Sequence, residues 1–263
     1  MPFEVAKAAI DRYAGDGLQE VIPSTIGEPL LYSKFAELLD CCGAKKIPLN
    51  LTTNGSFPEI WKSPAGMKRL LLACRDVKVS CMAFDEAGFA EMMPGLTFQK
   101  WRENVLGLLN VRQTLVSAMD ASVATVSLQV TLHKKLLPFA LDIMHFAESV
   151  GISRIKWNMP VFISTGKSLQ REYGVDVAEV RNLRDMLKSN CVRCEGSLFF
   201  AERRFGAVPA GGDLLVNRRC DFFRDEVWIL PDGSEEFCPN PERRFGDCAS
   251  AGAKCERCVL LYP

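Results

Sequence analysis

The sequence predicts an α/β protein of parallel strands and crossover helices, closed by a small cysteine-rich metal-binding module. Two observations carry this prediction. Strand-periodic and helix-periodic segments alternate from residue 18 to residue 187, and a regular β-then-α rhythm gives parallel strands joined by right-handed crossovers. From Cys220 onward the chain changes character: Cys220, Cys238, Cys248, Cys255 and Cys258 surround one apolar hairpin, Val227-Trp228-Ile229-Leu230-Pro231-Asp232-Gly233. So short a tail cannot build its own core; below roughly 40 residues a fold needs a metal, a disulfide or a partner.

The elements follow in order. Phe3, Ala6, Ile10 and Tyr13 fall at helical spacing, and Gly15 and Gly17 end that helix. Leu18 to Ile22 reads as a short strand, followed by the turn Ser24 to Pro29. Phe35, Leu38, Leu39 and Cys42 form a helical stripe stopped at Gly43, and Lys46 to Thr52 reads as the next strand. A helix over 64–74 leads to the strand Val77 to Cys81. Phe98, Trp101, Val105, Leu108 and Leu109 make an amphipathic helix. Val123 to Thr131 alternates through Thr125, Ser127 and Gln129, the period of a strand. Ala140, Ile143, Met144, Ala147 and Val150 give a helix stopped by Gly151; Arg154 to Asn158 is a strand; Val177, Val180, Leu183 and Leu187 give the last clear helix. Residues 188–219 read as irregular. The expected domains are 1–190, a β/α unit, and 191–263, the cysteine module. The chain opens on a helix where the repeat demands a strand, so the first βα unit is expected to lack its strand.

Bulk properties narrow the function classes. Of 263 residues 48% are hydrophobic, and 32 Lys+Arg balance 32 Asp+Glu. That balance argues against a general nucleic-acid binder, which needs a basic face. No apolar run approaches the roughly 18–20 residues of a membrane span, and Met1-Pro2-Phe3-Glu4 does not open a signal peptide. A cytoplasmic protein is expected, and in a reducing cytosol its eleven cysteines are free thiols or ligands rather than disulfides. Cys41, Cys42, Cys74 and Cys81 sit in apolar periodic segments and read as small buried hydrophobes. His133 and His145 lack metal-site spacing, which disfavours histidine-centred chemistry. Cys255-x2-Cys258 is a metal hook, and Cys191-x2-Cys194 is a second. Four-thiolate zinc and iron–sulfur sites both use that hook.

Chemistry in parallel β/α folds gathers where strands end. Polar or glycine-containing turns stand there in this chain: Thr25–Pro29, Thr52–Gly55, Ser80–Asp85, Gln129 with Thr131, and Asn158. Five in register suggest a shared mouth.

These segments resemble the radical S-adenosylmethionine (SAM) enzymes. Ile22-Pro-Ser-Thr-Ile-Gly-Glu-Pro-Leu-Leu31 is similar to their "GGEP" segment, Leu51-Thr-Thr-Asn-Gly-Ser56 to their "TNG" strand end, and Val77-Lys-Val-Ser80 to their "SxD" strand end. The tail resembles the SPASM module: Cys220, Gly233 and Cys238 fit its Cys-x(9–15)-Gly-x4-Cys spacing, and Cys255-x2-Cys258 supplies the closing pair. The resemblance implies a partial (β/α)6 TIM-like barrel with SAM across the strand ends. Gly27 and Glu28, with Pro29 fixing the turn, would offer backbone groups to the methionine ammonium; Asn54 and Ser80 would touch ribose or carboxylate, and Gln129 is a weaker candidate. Cys220, Cys238, Cys255 and Cys258 would ligate an auxiliary [4Fe–4S] cluster, with zinc as the alternative metal and Cys248 able to replace a ligand. The implied activity is one-electron reduction of SAM followed by hydrogen abstraction from a peptide or other macromolecule.

The chain also departs from the pattern. Ile26 replaces the first glycine of "GGEP", Cys81-Met-Ala stands near where an aspartate is common, the span from Cys238 to Cys255 is short, and C-x3-C-x2-C occurs nowhere. Missing strand and missing ligands fall at one place, so an N-terminally truncated enzyme is expected. The alternative is a non-catalytic iron–sulfur or zinc remnant, its open barrel edge paired with another protein.

Overall fold

The computed structural model describes residues 1–23, 27–118, 122–160, 167–187, 192–199 and 226–236. Five strands, β1 (Leu49–Thr53), β2 (Cys74–Cys81), β3 (Thr125–Thr131), β4 (Arg154–Asn158) and β5 (Arg193–Glu195), lie side by side in chain order and pair in parallel throughout. Sequential order means that every crossover turns the same way, which keeps the connecting helices on one face. The described α-helices are α1 (Phe3–Ala14) and α2 (Phe35–Ala44), which precede β1, and then α3 (Glu59–Lys62), α4 (Pro64–Ala73), α5 (Glu86–Met92), α6 (Phe98–Ala118), α7 (Ala140–Val150), α8 (Lys167–Tyr173) and α9 (Val177–Leu187).

The predicted alternation holds, with instructive differences. The bounds of α7, β4 and α9 match the periodicity, and Gly151 closes α7 in the left-handed region at φ 75°. The predicted strand Leu18–Ile22 contracts to one bridge, Val21 with Leu49. Val21 N donates to the Pro48 carbonyl and Asn50 N donates back to Val21 O, at 3.1 and 2.9 Å. Pro48 and Pro23 have no N–H to extend that ladder. The β1 edge therefore carries one paired residue. Residues 193–195, on the tail side of the expected 190/191 boundary, form β5 of the main sheet.

Strand alternation gives the sheet two faces. The register aligns Leu51, Val77, Val126 and then Leu128 with Ile155 on the helix side, all fully buried. On that side Trp101 of α6 is ringed by Phe84, Phe89, Phe98 and Phe146, at centroid distances of 5.6–6.4 Å. Cys42, Cys74 and Cys81 are buried as small hydrophobes, and burial pushes each thiol up to about 12. The opposite face carries Asn50, Asp76, Lys78, Ser80, Ser127, Gln129, Arg154 and Lys156.

The predicted tail hairpin is present as β6 (Trp228–Ile229) and β7 (Glu235–Glu236), turned at Gly233 with φ 88°. It docks on α1 through the ion pair of Arg12 with Glu235 at 2.6 Å. Among the described residues no helix is long and apolar enough to cross a membrane.

Candidate functional site

The carboxyl edge of the sheet joins three segments far apart in sequence. Glu28 caps the short turn Pro29–Leu31, its Oε1 accepting from Leu30 N at 3.1 Å. The same oxygen accepts from Thr53 Oγ1 at 2.9 Å, and Oε2 accepts from Asn54 N at 2.6 Å. One carboxylate thus fastens the Gly27–Pro29 turn to the end of β1. Burial pushes the Glu28 carboxyl above the usual glutamate value, and the bonds from Asn54, Leu30 and Thr53 partly oppose that rise.

The turn after β1 is held from the helix side as well. Asn54 Oδ1 accepts from Ser56 N, and Asn104 Nδ2 of α6 donates to the carbonyls of Gly55 and Ser56, at 2.8 and 3.1 Å. Gly55 has φ 82°, and a Cβ there would lie 2.7 Å from Trp101 Cδ1. Only glycine allows both the conformation and that approach. The Trp101 indole N–H donates to Ser80 O at 3.0 Å, so the same ring carries the seam on to the end of β2.

The expected cofactor-binding residues therefore converge. Gly27, exposed at φ 89°, has open space where a Cβ would stand. Glu28 and Asn54 touch directly, Pro29 is buried, and Ser80 joins them through Trp101. Gln129 sits beside Ser80 in the sheet register. The Glu28 carbonyl accepts from Leu31 N at 3.1 Å, whereas no backbone bond of Gly27 occurs among the described residues. The four expected ligands Cys220, Cys238, Cys255 and Cys258, with Cys191 and Cys248, lie outside the described residues. Cys194 lies in β5 with its Sγ 3.6 Å from Met144 Sδ of α7, turned to the helix side. Among the described residues no cluster of three or more His, Cys, Asp or Glu could hold a metal.

His133 is buried behind the mouth, its Nε2–H donating to Met82 O at 2.7 Å. It borders a cavity of about 20 Å³ with Ala83, Phe84 and Leu136, room for one water rather than a cofactor. His145 is exposed on α7.

Sequence reasoning passed over the polar face below the mouth. Asp76, 2% exposed, accepts from Thr125 Oγ1, Ser127 Oγ and Arg154 at 2.6–2.7 Å. Arg154 also pairs with Glu195 at 2.9 Å. The available signal was the alternation Asp76, Lys78, Ser80 within one strand.

That architecture occurs in known structures. The fold is shared with SuiB of Streptococcus suis. Over 92% of this chain and 55% of SuiB the TM-score is 0.67 at 14% identity. SuiB bound to precursor peptide SuiA matches over 90% of this chain and 53% of its own, with TM-score 0.65 and 14% identity. SuiB bound to S-adenosylmethionine matches over 78% and 44%, with TM-score 0.58 and 16% identity. The chain thus spans about half the length of these SuiB structures. At this identity the likeness is one of fold. No protein-family profile matches the chain, and no curated protein matches its sequence.

Proposed function

We propose that this chain is a radical SAM-type modifying enzyme acting on a peptide. The observation that carries the reading is the seam of Glu28, Thr53, Asn54, Trp101 and Ser80, at the carboxyl edge of a sequentially wound parallel sheet with a polar inner face. In this reading the sheet is the wall of a partial (β/α)6 barrel. SuiB structures bound to S-adenosylmethionine and to precursor peptide SuiA support a SAM cofactor and a peptide substrate.

The residues of the mouth fit SAM. Gly27 leaves its backbone open to an ammonium group, and the Glu28 side chain is taken up by Leu30, Thr53 and Asn54. Asn54 Nδ2 and Ser80 Oγ make no hydrogen bond among the described residues and remain available to ribose or carboxylate. SAM would supply the one-electron chemistry when reduced by an iron–sulfur cluster, for which the given sequence carries no C-x3-C-x2-C ligand set, while the protein orients and shields. Cys220, Cys238, Cys255 and Cys258 hold an auxiliary [4Fe–4S] cluster, zinc being the rival occupant. The free thiols of the described residues suit a reducing cytoplasm.

Anaerobic reconstitution of the full chain tests this, with iron counting and SAM titration by calorimetry. About four irons per chain are expected, lost in the double variant Cys255→Ala/Cys258→Ala, together with saturable SAM binding weakened by Gly27→Val. Iron unchanged by the double substitution would refute the ligand assignment. Iron bound without any SAM binding would instead support a non-catalytic metal-binding module.

A further inference from the structure

We infer that Lys78 and Lys156, on the inner face of the sheet, form a binding site for a carboxylate of the molecule being modified. The occupant's identity rests on the proposed function; the site itself rests on the geometry below.

Both lysines face the same way. Lys78 of β2 is in register with Ser127 of β3, and Gln129, two residues further along β3, is in register with Lys156 of β4. Two steps along a strand return to the same face. Lys156 shares its row with Gln129 and Ser80, one step below the mouth, and Lys78 lies one row deeper. A group reaching down from the mouth meets Lys156 first and Lys78 next.

Charge on this face is unevenly matched. Asp76 is taken by Arg154, Ser127 and Thr125, and Glu195 by Arg154 and Arg193. Among the described residues Lys78 hydrogen-bonds only the neutral amide oxygen of Asn50. Lys156 has no hydrogen bond or ion pair among the described residues. Lys78 is 6% exposed, and burying an ammonium without a counter-ion is costly. Burial, then the repulsion of Lys156 and more weakly of Arg154, pulls Lys78 down to about 8, against the attraction of Asp76 and Glu20. A bound anion relieves both burial and repulsion. Asp76 and Glu195 on the same face disfavour a dianion such as phosphate, whereas a carboxylate carries one charge and two acceptor oxygens for two ammonium groups.

Acetylation of the full-length chain by acetic anhydride, followed residue by residue by mass spectrometry, tests the site without any cluster or turnover. N-acetylglycine, a monocarboxylate, is expected to slow labelling of Lys78 and Lys156 about fivefold at a few times its Kd, relative to chloride at equal ionic strength. Lys156→Gln should abolish the protection at Lys78, and Lys78→Met that at Lys156. Equal labelling in chloride and N-acetylglycine overturns the proposal, as does protection of Lys78 that survives Lys156→Gln. Protection by SAM alone overturns it too, assigning the pair to the cofactor's carboxylate. Protection by N-acetylglycine in a chain that binds neither iron nor SAM keeps the site while refuting the proposed function.

Discussion

The two faces of the β-sheet obey different rules although neighbouring residues build them. On β2, Val77, Val79 and Cys81 turn to the helices and are fully buried, while Asp76, Lys78 and Ser80 turn the other way. A parallel sheet covered by helices on both faces reads as nearly continuous apolar runs. Here the strands alternate instead. The helix side does the work of folding, where a thiol such as Cys81 is kept protonated with its pKa near 12. The other side holds charge at a density that packing alone would not select, because each buried ion needs a partner.

The largest expected effect sets adjacent positions on the two faces against each other. Asp76→Ala leaves Arg154 with Glu195 as its remaining carboxylate and removes the acceptor of the Ser127 hydroxyl, which should cost roughly 3 kcal/mol, the low end for a buried pair broken from one side. Val77→Ala next to it should cost about 2 kcal/mol through lost packing. Urea unfolding of the two variants measures the difference. An Asp76→Ala loss smaller than that of Val77→Ala would mean that the polar face is solvated and its network incidental.

Lys78→Met should act in the opposite direction. The folded protein holds Lys78 at about 8, below its ordinary 10.5. The folded state therefore favours the neutral amine. Stability from this group is present above 10.5, is lost as pH falls through 8, and at neutral pH the ammonium is a burden. Removing it should stabilise the protein by about 1–3 kcal/mol at neutral pH. The wild type should also gain stability on the variant as pH rises from 8 to 10.5. Denaturation curves across that window decide the matter. A variant less stable than wild type at neutral pH would show that Lys78 already has a counter-ion.

Much of the scaffold was legible because local patterns agreed with the final packing. The stripe Ala140, Ile143, Met144, Ala147 with the stop at Gly151 gave α7 its bounds, and the alternation of Thr125, Ser127 and Gln129 gave β3 its polar side. β5 escaped notice because Arg193-Cys194-Glu195 is three residues long with no apolar period. The strand before β1 was overestimated because propensity says nothing of the prolines that limit its ladder. At the site, each turn was visible but its attachment was not. That Glu28 spends its side chain on Thr53 and Asn54, or that Trp101 bridges Gly55 to Ser80, depends on contacts between residues 21 or more positions apart. The lysine pair was hidden in plain alternation, since only register shows that Lys78 and Lys156 share a face.

The smallest expected effect probes the seam where the two faces meet at the mouth. Glu28→Gln keeps the side-chain shape and one acceptor oxygen but sets an NH2 group against the Asn54 N–H that Oε2 accepts. The loss should be about 1 kcal/mol at neutral pH. Its pH dependence is the sharper test. Burial raises the folded carboxyl above 4.5, so the stability it contributes is fully present below 4.5 and is lost as pH rises through the raised value. The glutamine has no such titration. The advantage of wild type over Glu28→Gln should therefore be larger at about pH 4 than at about pH 7, as read from paired denaturation curves. An advantage that widens toward neutral pH would mean that the N–H groups of Leu30 and Asn54 hold the carboxylate more firmly than burial opposes it, and the seam would then be an anion-stabilising site rather than a clasp.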